Sequence, residues 1–307
     1  MKMKTKNIVL SVIAFFIGMA MIDAQVRYFD ERYISTQSQL NPQLINPGAI
    51  GYGLNHQIFV NYRNKWSGID GAPRTLTLSY NGAVGNRLGV GVNVLSDKFG
   101  ELETTKGELG LSYTIVSDNN QVGFGLSGAY IKHAIGGYGN ANPNDPIISQ
   151  ALSGAEYFDA SFGLYGIYLK KFYYGLSLPS LVSSRISDID NGSDDNKEIG
   201  FILQLAYRLD IQEDISMTPG IIMKKLSNVP THIDLNLNFG FLQDKLIGGV
   251  TYTVGADKRL GFLIGTKIEN LNFYYSYNTS SNVIQDYNNG SHEVTLGFNF
   301  GGNKTKS

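Results

Sequence analysis

The stretch GFGLSG, residues 123–128, has the spacing of a phosphate-cradling G-x-G-x-x-G loop. In a dinucleotide site those glycines join a strand to a helix whose N-terminus holds the pyrophosphate. Here Val122, Phe124 and Leu126 alternate with Gly123, Gly125 and Ser127, so the motif reads as the middle of a strand, and no cofactor is expected. The chain has four histidines, His56, His133, His232 and His292, and none stands in HExxH or another tight metal-ligand spacing. His292 beside Glu293 offers a base and its orienter, and a lipolytic barrel would also need a serine on the same face of adjacent strands. At a strand end, a solvated histidine is the simpler reading. Asp145, Asp188, Asp190, Asp194 and Asp195 make two segments acidic enough to attract calcium, but they lack EF-hand spacing and read as solvated loops. With no cysteine in the chain, thiol catalysis, disulfides, thiolate-bound metals and a lipid-modified N-terminal cysteine are excluded. No nucleophile, base and orienter can be nominated together, so the chain is expected to be no enzyme and to have no catalytic, cofactor or metal site.

The elements around these residues are more informative. Leu88, Val90, Val92 and Val94 alternate with Gly89, Gly91 and Asn93; Ile233, Leu235, Leu237 and Phe239 alternate with Asp234, Asn236 and Asn238. A period of two puts every large apolar side chain of such a segment on one face of a strand. The same pattern predicts strands over 56–63, 73–82, 86–96, 102–116, 121–133, 156–169, 172–178, 197–208, 214–225, 231–240, 245–254, 259–268, 271–279 and 291–300, fourteen in all. Many reach ten residues, near the roughly 9 to 11 of a tilted membrane strand and above the roughly 5 to 6 of a typical soluble strand. The composition agrees, with 36 glycines, 19 tyrosines and 16 phenylalanines against 8 prolines in 307 residues. A net charge of −1 gives no basic footprint for nucleic acid.

Residues 1–24 read as a secretory signal peptide: Lys2, Lys4 and Lys6, then an apolar run from Ile8 to Ile22, then Ala24 before the cut. The run is short of the roughly 20 residues of a spanning helix, and no later segment approaches one, so a membrane-spanning form must be a closed barrel. The connections favour that barrel. If the first strand runs outward, the turns at 83–85, 117–120, 170–171, 209–213, 243–244 and 269–270 face the periplasm and are all short. The longest connections, 64–72, 134–155, 179–196 and 280–290, share the other side, as in outer-membrane barrels. A soluble sandwich or propeller could share the alternation. A sandwich, however, would have turns of mixed length, and a propeller would repeat about every 40 residues.

The expected architecture is therefore an all-β transmembrane antiparallel barrel over 56–300, with both termini in the periplasm and a polar tail at 301–307. Its inward set is mostly small and polar, as in Gly123, Gly125 and Ser127 or Gly249, Thr251 and Thr253, with scattered charges such as Glu108 and Asp234. Such side chains do not fill a fourteen-strand lumen, so water or another segment must. Residues 25–55, with Asn41, Pro42, Asn46, Pro47 and Gly48, are either that plug or a disordered periplasmic leader.

Three stretches together carry a resemblance: QLNPQLINPGAIGY (39–52), YRNKWSGIDGAPRT (62–75) and the terminal SHEVTLGFNF (291–300). They resemble the PorP/SprF outer-membrane proteins of the type IX secretion system of Bacteroidota, with their Asn-Pro pairs ahead of the first strand and their Tyr-Arg-x-x-Trp signature. Gly48 and Ala49 stand where the family usually shows Ala-Tyr after the second pair. The resemblance implies a non-enzymatic accessory or anchor that supports export or surface attachment of a large adhesin, of the gliding-motility type, carrying a C-terminal sorting domain. It also implies contact with periplasmic components of the secretion apparatus. The connections 134–155, 179–196 and 280–290 would be the docking surface. Tyr62, Arg63 and Trp66 would form a special corner for a partner or for the membrane interface, where an aromatic can anchor or stack with a cation. Phe298 and Phe300 look like the terminal aromatics by which assembly machinery recognises barrels. The rival reading is a passive porin or small-solute transporter, which predicts an open lumen ringed by charge.

Overall fold

The structure is a computed structural model that describes residues 35–53, 56–136, 154–182, 184–185, 200–226, 230–255, 258–281 and 283–301. The predicted signal peptide, the aspartates of the two acidic segments and most of the polar tail lie outside these residues.

The alternating segments pair into one antiparallel sheet. Its members are β1 (His56–Asn64), β2 (Arg74–Val84), β3 (Leu88–Phe99), β4 (Leu102–Val116), β5 (Asn120–Ile135), β6 (Ala155–Tyr168), β7 (Phe172–Leu178), β8 (Ser184–Arg185), β9 (Phe201–Tyr207), β10 (Leu209–Gln212), β11 (Ile215–Lys225), β12 (His232–Phe241), β13 (Leu246–Val254), β14 (Arg259–Ile268), β15 (Leu271–Ser280) and β16 (Ser291–Phe300). β8 lies off the path and pairs only with Tyr157 and Phe158 of β6, while β9 and β10 are two pieces of one wall strand. Fourteen wall strands remain. β16 returns to β1 in register from His56↔Phe300 to Asn64↔His292, so the sheet closes and keeps no edge. Both ends of the barrel wall therefore lie on the rim that carries the short turns.

The two faces invert the usual burial of a soluble protein. Leu109, Leu111, Leu126 and Ile264 are each more than 60% exposed, whereas Thr77, Ser112, Ser127, Ser276 and Thr295 are buried. Because every second residue of the wall points outward, the apolar set forms a continuous exterior and the polar set lines a closed interior, the arrangement that lipid selects. A soluble sandwich would bury the leucines instead.

Most strand ends fall within a few residues of the sequence reading, and three boundaries differ for a physical reason. The segment 209–213, expected as a turn because Asp210, Gln212 and Glu213 are polar, is mostly strand: β10 pairs with β11 through a bulge between Asp210 and Gln212, and the turn shrinks to 213–214. The break sits instead at Arg208, whose side chain bonds to Asp210 and Asp244. A ladder is made by main-chain groups, so polar side chains at the rim need not end it. For the same reason β3 runs on to Phe99 and β5 to Ile135. There Lys98 pairs with Glu103 and Lys132 with Glu156 on the outer face, which marks the level where the wall leaves the apolar band.

Candidate functional site

The candidate site is the lumen, and its main feature is a stretch of the chain itself. Residues 35–53 lie inside the barrel against inward-facing side chains. Two Asn-Pro pairs shape them: Pro42–Leu44 and Pro47–Ala49 are single turns of 3-10 helix, each with proline at its start, where the fixed φ suits a helix and the missing N–H costs nothing. Asn46 caps the second turn, its Oδ1 accepting from the Gly48 N–H at 2.9 Å. The same side chain reaches the wall, donating to the Leu164 carbonyl at 3.0 Å and to Gln204 at 3.4 Å.

This turn sits in a cradle of glycines on five adjacent strands. A Cβ on Gly125 would lie 2.1 Å from the Pro47 carbonyl oxygen, one on Gly123 2.2 Å from that of Gly48, one on Gly163 2.2 Å from Asn46 Oδ1, and one on Gly89 2.4 Å from the Ile50 carbonyl oxygen. Gly110 is filled by the Ile50 side chain, and Gly175 faces the Asn46 amide. Gly48 is equally constrained, since its own Cβ would fall within 3 Å of backbone atoms of Tyr165, Gly123 and Gly163. The wall glycines therefore mark the places where a second backbone meets the strands. Ser112 donates to the Ile50 carbonyl, and the Gly51 N–H donates to Asn81 at 2.6 Å. Ile45 completes a small apolar cluster with Ile202, Ile222 and Leu226.

At its other end the segment bonds to β15 and β16. Ser35 donates to Glu293 at 2.5 Å, Thr36 to Ser276 at 3.0 Å, and the Gln37 amide to Ser276 and to the Glu293 carbonyl at 3.2 Å each. Thr295 donates to Gln37 Oε1 at 2.6 Å. Between these anchors Asn238 donates to Gln39 at 2.7 Å and Gln43 to Gln57 at 3.1 Å. The segment separates a cavity of about 60 Å³ on the long-connection side from one of about 240 Å³ that opens toward the short turns.

The half of the lumen nearer the long connections is more charged than the alternation alone indicated. Besides Glu108 and Asp234 it holds Arg63, Lys106, Asp159, Lys224, Arg259 and Glu293, all but Glu108 less than a tenth exposed. Lys224 and Asp234 form an ion pair at 2.6 Å, both essentially buried, and Thr253 donates to the same carboxylate at 2.7 Å. Asp234 and Thr253 belong to the expected inward set, but Lys224 and the pairing itself have no signal in the sequence, because a single charge in a polar strand position does not name its partner. Only the register of β11, β12 and β13 brings the three together.

At the short-turn mouth, Arg208 holds Asp244 at 2.7 Å and Ser216 donates to it at 2.9 Å. Burial pushes the Asp244 carboxyl up, but these two bonds, with the positive charges of Arg208 and Lys267, more than offset that and keep it below the usual carboxylate range. A depressed folded-state value means the contact stabilises the fold above the ordinary aspartate pKa of about 3.9 and is lost as pH falls through the lower folded value. Acid titration of Asp244→Asn beside the parent is therefore expected to show a smaller loss of stability below about pH 4. Equal losses would mean that the pair contributes nothing to the mouth.

Tyr62, Arg63 and Trp66 do not converge. Tyr62 is 44% exposed on the outer face, Arg63 is buried in the lumen, and Trp66 lies in the connection after β1 with φ at 53°. The Lys65 ammonium sits 4.3 Å from the Trp66 ring, whose edge meets Phe99 at 6.3 Å. The connection is tied down on both sides, as Ser67 and Asn289–Gly290 exchange two backbone bonds and the Gly100 N–H donates to Gly71. Phe298 and Phe300 face outward, with Phe300 stacked on His56 at 5.4 Å. His292 accepts or donates at 2.8 Å with the Tyr275 hydroxyl. GFGLSG lies within β5, where Gly123 and Gly125 receive the Asn-Pro turn. Among the described residues no group of three or more acidic or histidine side chains could hold a metal ion.

No curated protein matches the chain. Solved barrels resemble it at low identity: the KdgM porin (12% identity, 80% of this chain and 98% of that one, TM-score 0.36), a Rhodopseudomonas blastica porin triple mutant (8%, 80% and 99%, 0.40) and a Pseudomonas aeruginosa FadL homologue (11%, 83% and 91%, 0.44). The family described as type IX secretion system membrane protein PorP/SprF matches residues 31–298, from just before the lumen segment to within two residues of the end of β16. A closed barrel with an apolar exterior and a match of that extent make this an outer-membrane protein, and the chain belongs to the PorP/SprF family of the type IX secretion system.

Proposed function

We propose that the protein is a plugged, non-enzymatic barrel that supports export or surface attachment of a large adhesin carrying a C-terminal sorting domain. The observation that supports this reading is the seat of residues 35–53: an Asn-Pro turn lodged in a glycine cradle, with hydrogen bonds to opposite walls, lies across the lumen that a solute would have to pass. A barrel that conducts nothing serves its pathway by holding a partner, so the mechanism is binding, with no bond made or broken. Both termini of the barrel wall lie on the periplasmic rim in this reading, which turns the long connections outward. Of the expected docking surface, 280–290 is largely described and includes the short helix Val283–Tyr287, with Tyr287 76% exposed. Most of 134–155 and 179–196 lies outside the described residues. In this reading Tyr62 and Trp66, at the end of β1 and in the connection after it, serve as aromatic anchors at the membrane interface, and Phe298 and Phe300 keep the proposed role in assembly.

The charged half of the lumen favours the rival porin reading, since a ring of charge is what a selective pore needs. Two measurements on the same detergent extract separate the readings. The purified protein is expected to show no channel in planar bilayers, and a gentle pull-down from native outer membranes is expected to retain a large exported protein bound through its C-terminal domain. Steady conductance together with an empty pull-down would replace the anchor with the porin.

A further inference from the structure

We propose that residues 35–37 act as an internal clamp on the closing seam of the barrel, templating the pairing of β16 with β1. That pairing joins the first and last wall strands, and the residues it brings together are 228 to 244 positions apart, from Asn64↔His292 to His56↔Phe300. Closing so long a loop is the entropically expensive step of assembly and the slow one. Every other wall strand can pair with one already laid down beside it.

The polar contacts at the seam match that task. The Gln37 carboxamide donates to Ser276 on β15 and to the Glu293 carbonyl on β16, and its oxygen accepts from Thr295 on β16. Asn61 on β1 donates to Glu293 Oε1 at 2.9 Å and to Thr295 Oγ1 at 2.7 Å, and Ser35 donates to the same Glu293 oxygen. Two shared partners thus join β1 and the lumen segment to β16: Glu293 accepts from both, and Thr295 accepts from Asn61 while donating to Gln37, which also ties in β15. All these groups are buried, so each bond left unmade costs the desolvation of its partner. The far end of the same segment is held by β3 to β7 across the lumen, so the seam is clamped from the opposite wall. This inference concerns closure alone and does not depend on what the barrel binds.

The test uses the absence of cysteine. In the full chain, Ser35→Ala with Gln37→Ala is expected to lower the temperature at which the compact, heat-modifiable form is lost by on the order of 5–10 °C, and to slow refolding. A disulfide between Val60→Cys and Leu296→Cys, outward-facing partners across the seam, is expected to restore both. One between Leu235→Cys and Tyr252→Cys, equivalent partners across β12 and β13, is expected to restore neither. If the double variant does not fold, oxidative refolding with the seam cysteines decides. Equal rescue by both disulfides, rescue by neither, or a double variant indistinguishable from the parent would each overturn the clamp.

Discussion

Replacing Gly125 with valine is expected to turn a closed barrel into a conducting one. The new Cβ would lie 2.1 Å from the Pro47 oxygen, 2.2 Å from its carbon and 2.6 Å from the Gly48 nitrogen, so it meets backbone and not the movable tip of a side chain. β5 cannot retreat, because Gly125 is paired to Ser112 on one side and Gly163 on the other within two of the longest ladders of the wall. The lumen segment must move instead. Overpacking of this kind costs about 1–3 kcal/mol, which shifts the seated–unseated balance by about 5–150-fold. Single-channel recording in planar bilayers reads that shift as open time. Gly128→Ala on the same strand is the control, since its Cβ would meet only the outward Phe158 ring at 3.6 Å and should leave the lumen closed. If Gly125→Val folds, keeps its compact form and remains as silent as the control, residues 35–53 do not seal the barrel.

The wall of this protein was legible in its sequence because the physics that makes a membrane strand writes itself in single residues. Leu109, Leu111 and Tyr113 must meet lipid while Gly110 and Ser112 must not, and a period of two follows from the pleat. The strand count, several exact boundaries such as Leu102–Val116 and Phe172–Leu178, and the short and long rims all follow from that period and its interruptions. What the period cannot say is what an inward residue touches. Gly123 and Gly125 were read correctly as inward and small, yet the reason for their size is Pro47 and Gly48, some 75 positions earlier in the chain. The Asn-Pro pairs carried a local signal, a proline at the start of a turn, but no information on where the turn would lodge. The pairing of the interior charges is hidden for the same reason. Lys224, Asp234 and Thr253 sit on three strands, and their meeting depends on register, which a one-residue slip would undo.

The ion pair between Lys224 and Asp234 makes the second large prediction, because breaking it and removing it should have opposite consequences. Both side chains are no more than 5% exposed, at 2.6 Å. Substituting one partner leaves an uncompensated buried charge, at a cost of about 3–5 kcal/mol, whereas exchanging both for apolar groups of similar volume is often neutral or stabilising. The two single changes should also differ. After Lys224→Met, the Asp234 carboxylate keeps the Thr253 hydroxyl, and Arg259 stands one strand further along the same row as the partner of Thr253. After Asp234→Leu, the Lys224 ammonium loses its carboxylate and lies beside His232, its cross-strand partner. Asp234→Leu is therefore expected to be the worse single change, Lys224→Met intermediate, and the double variant within about 1 kcal/mol of the parent, by urea unfolding of the folded barrel in detergent. A double variant as unstable as the sum of the singles would show that the pair is not an isolated contact but part of a wider network through Arg259 and Arg63, and that the charged half of the lumen is held as one unit.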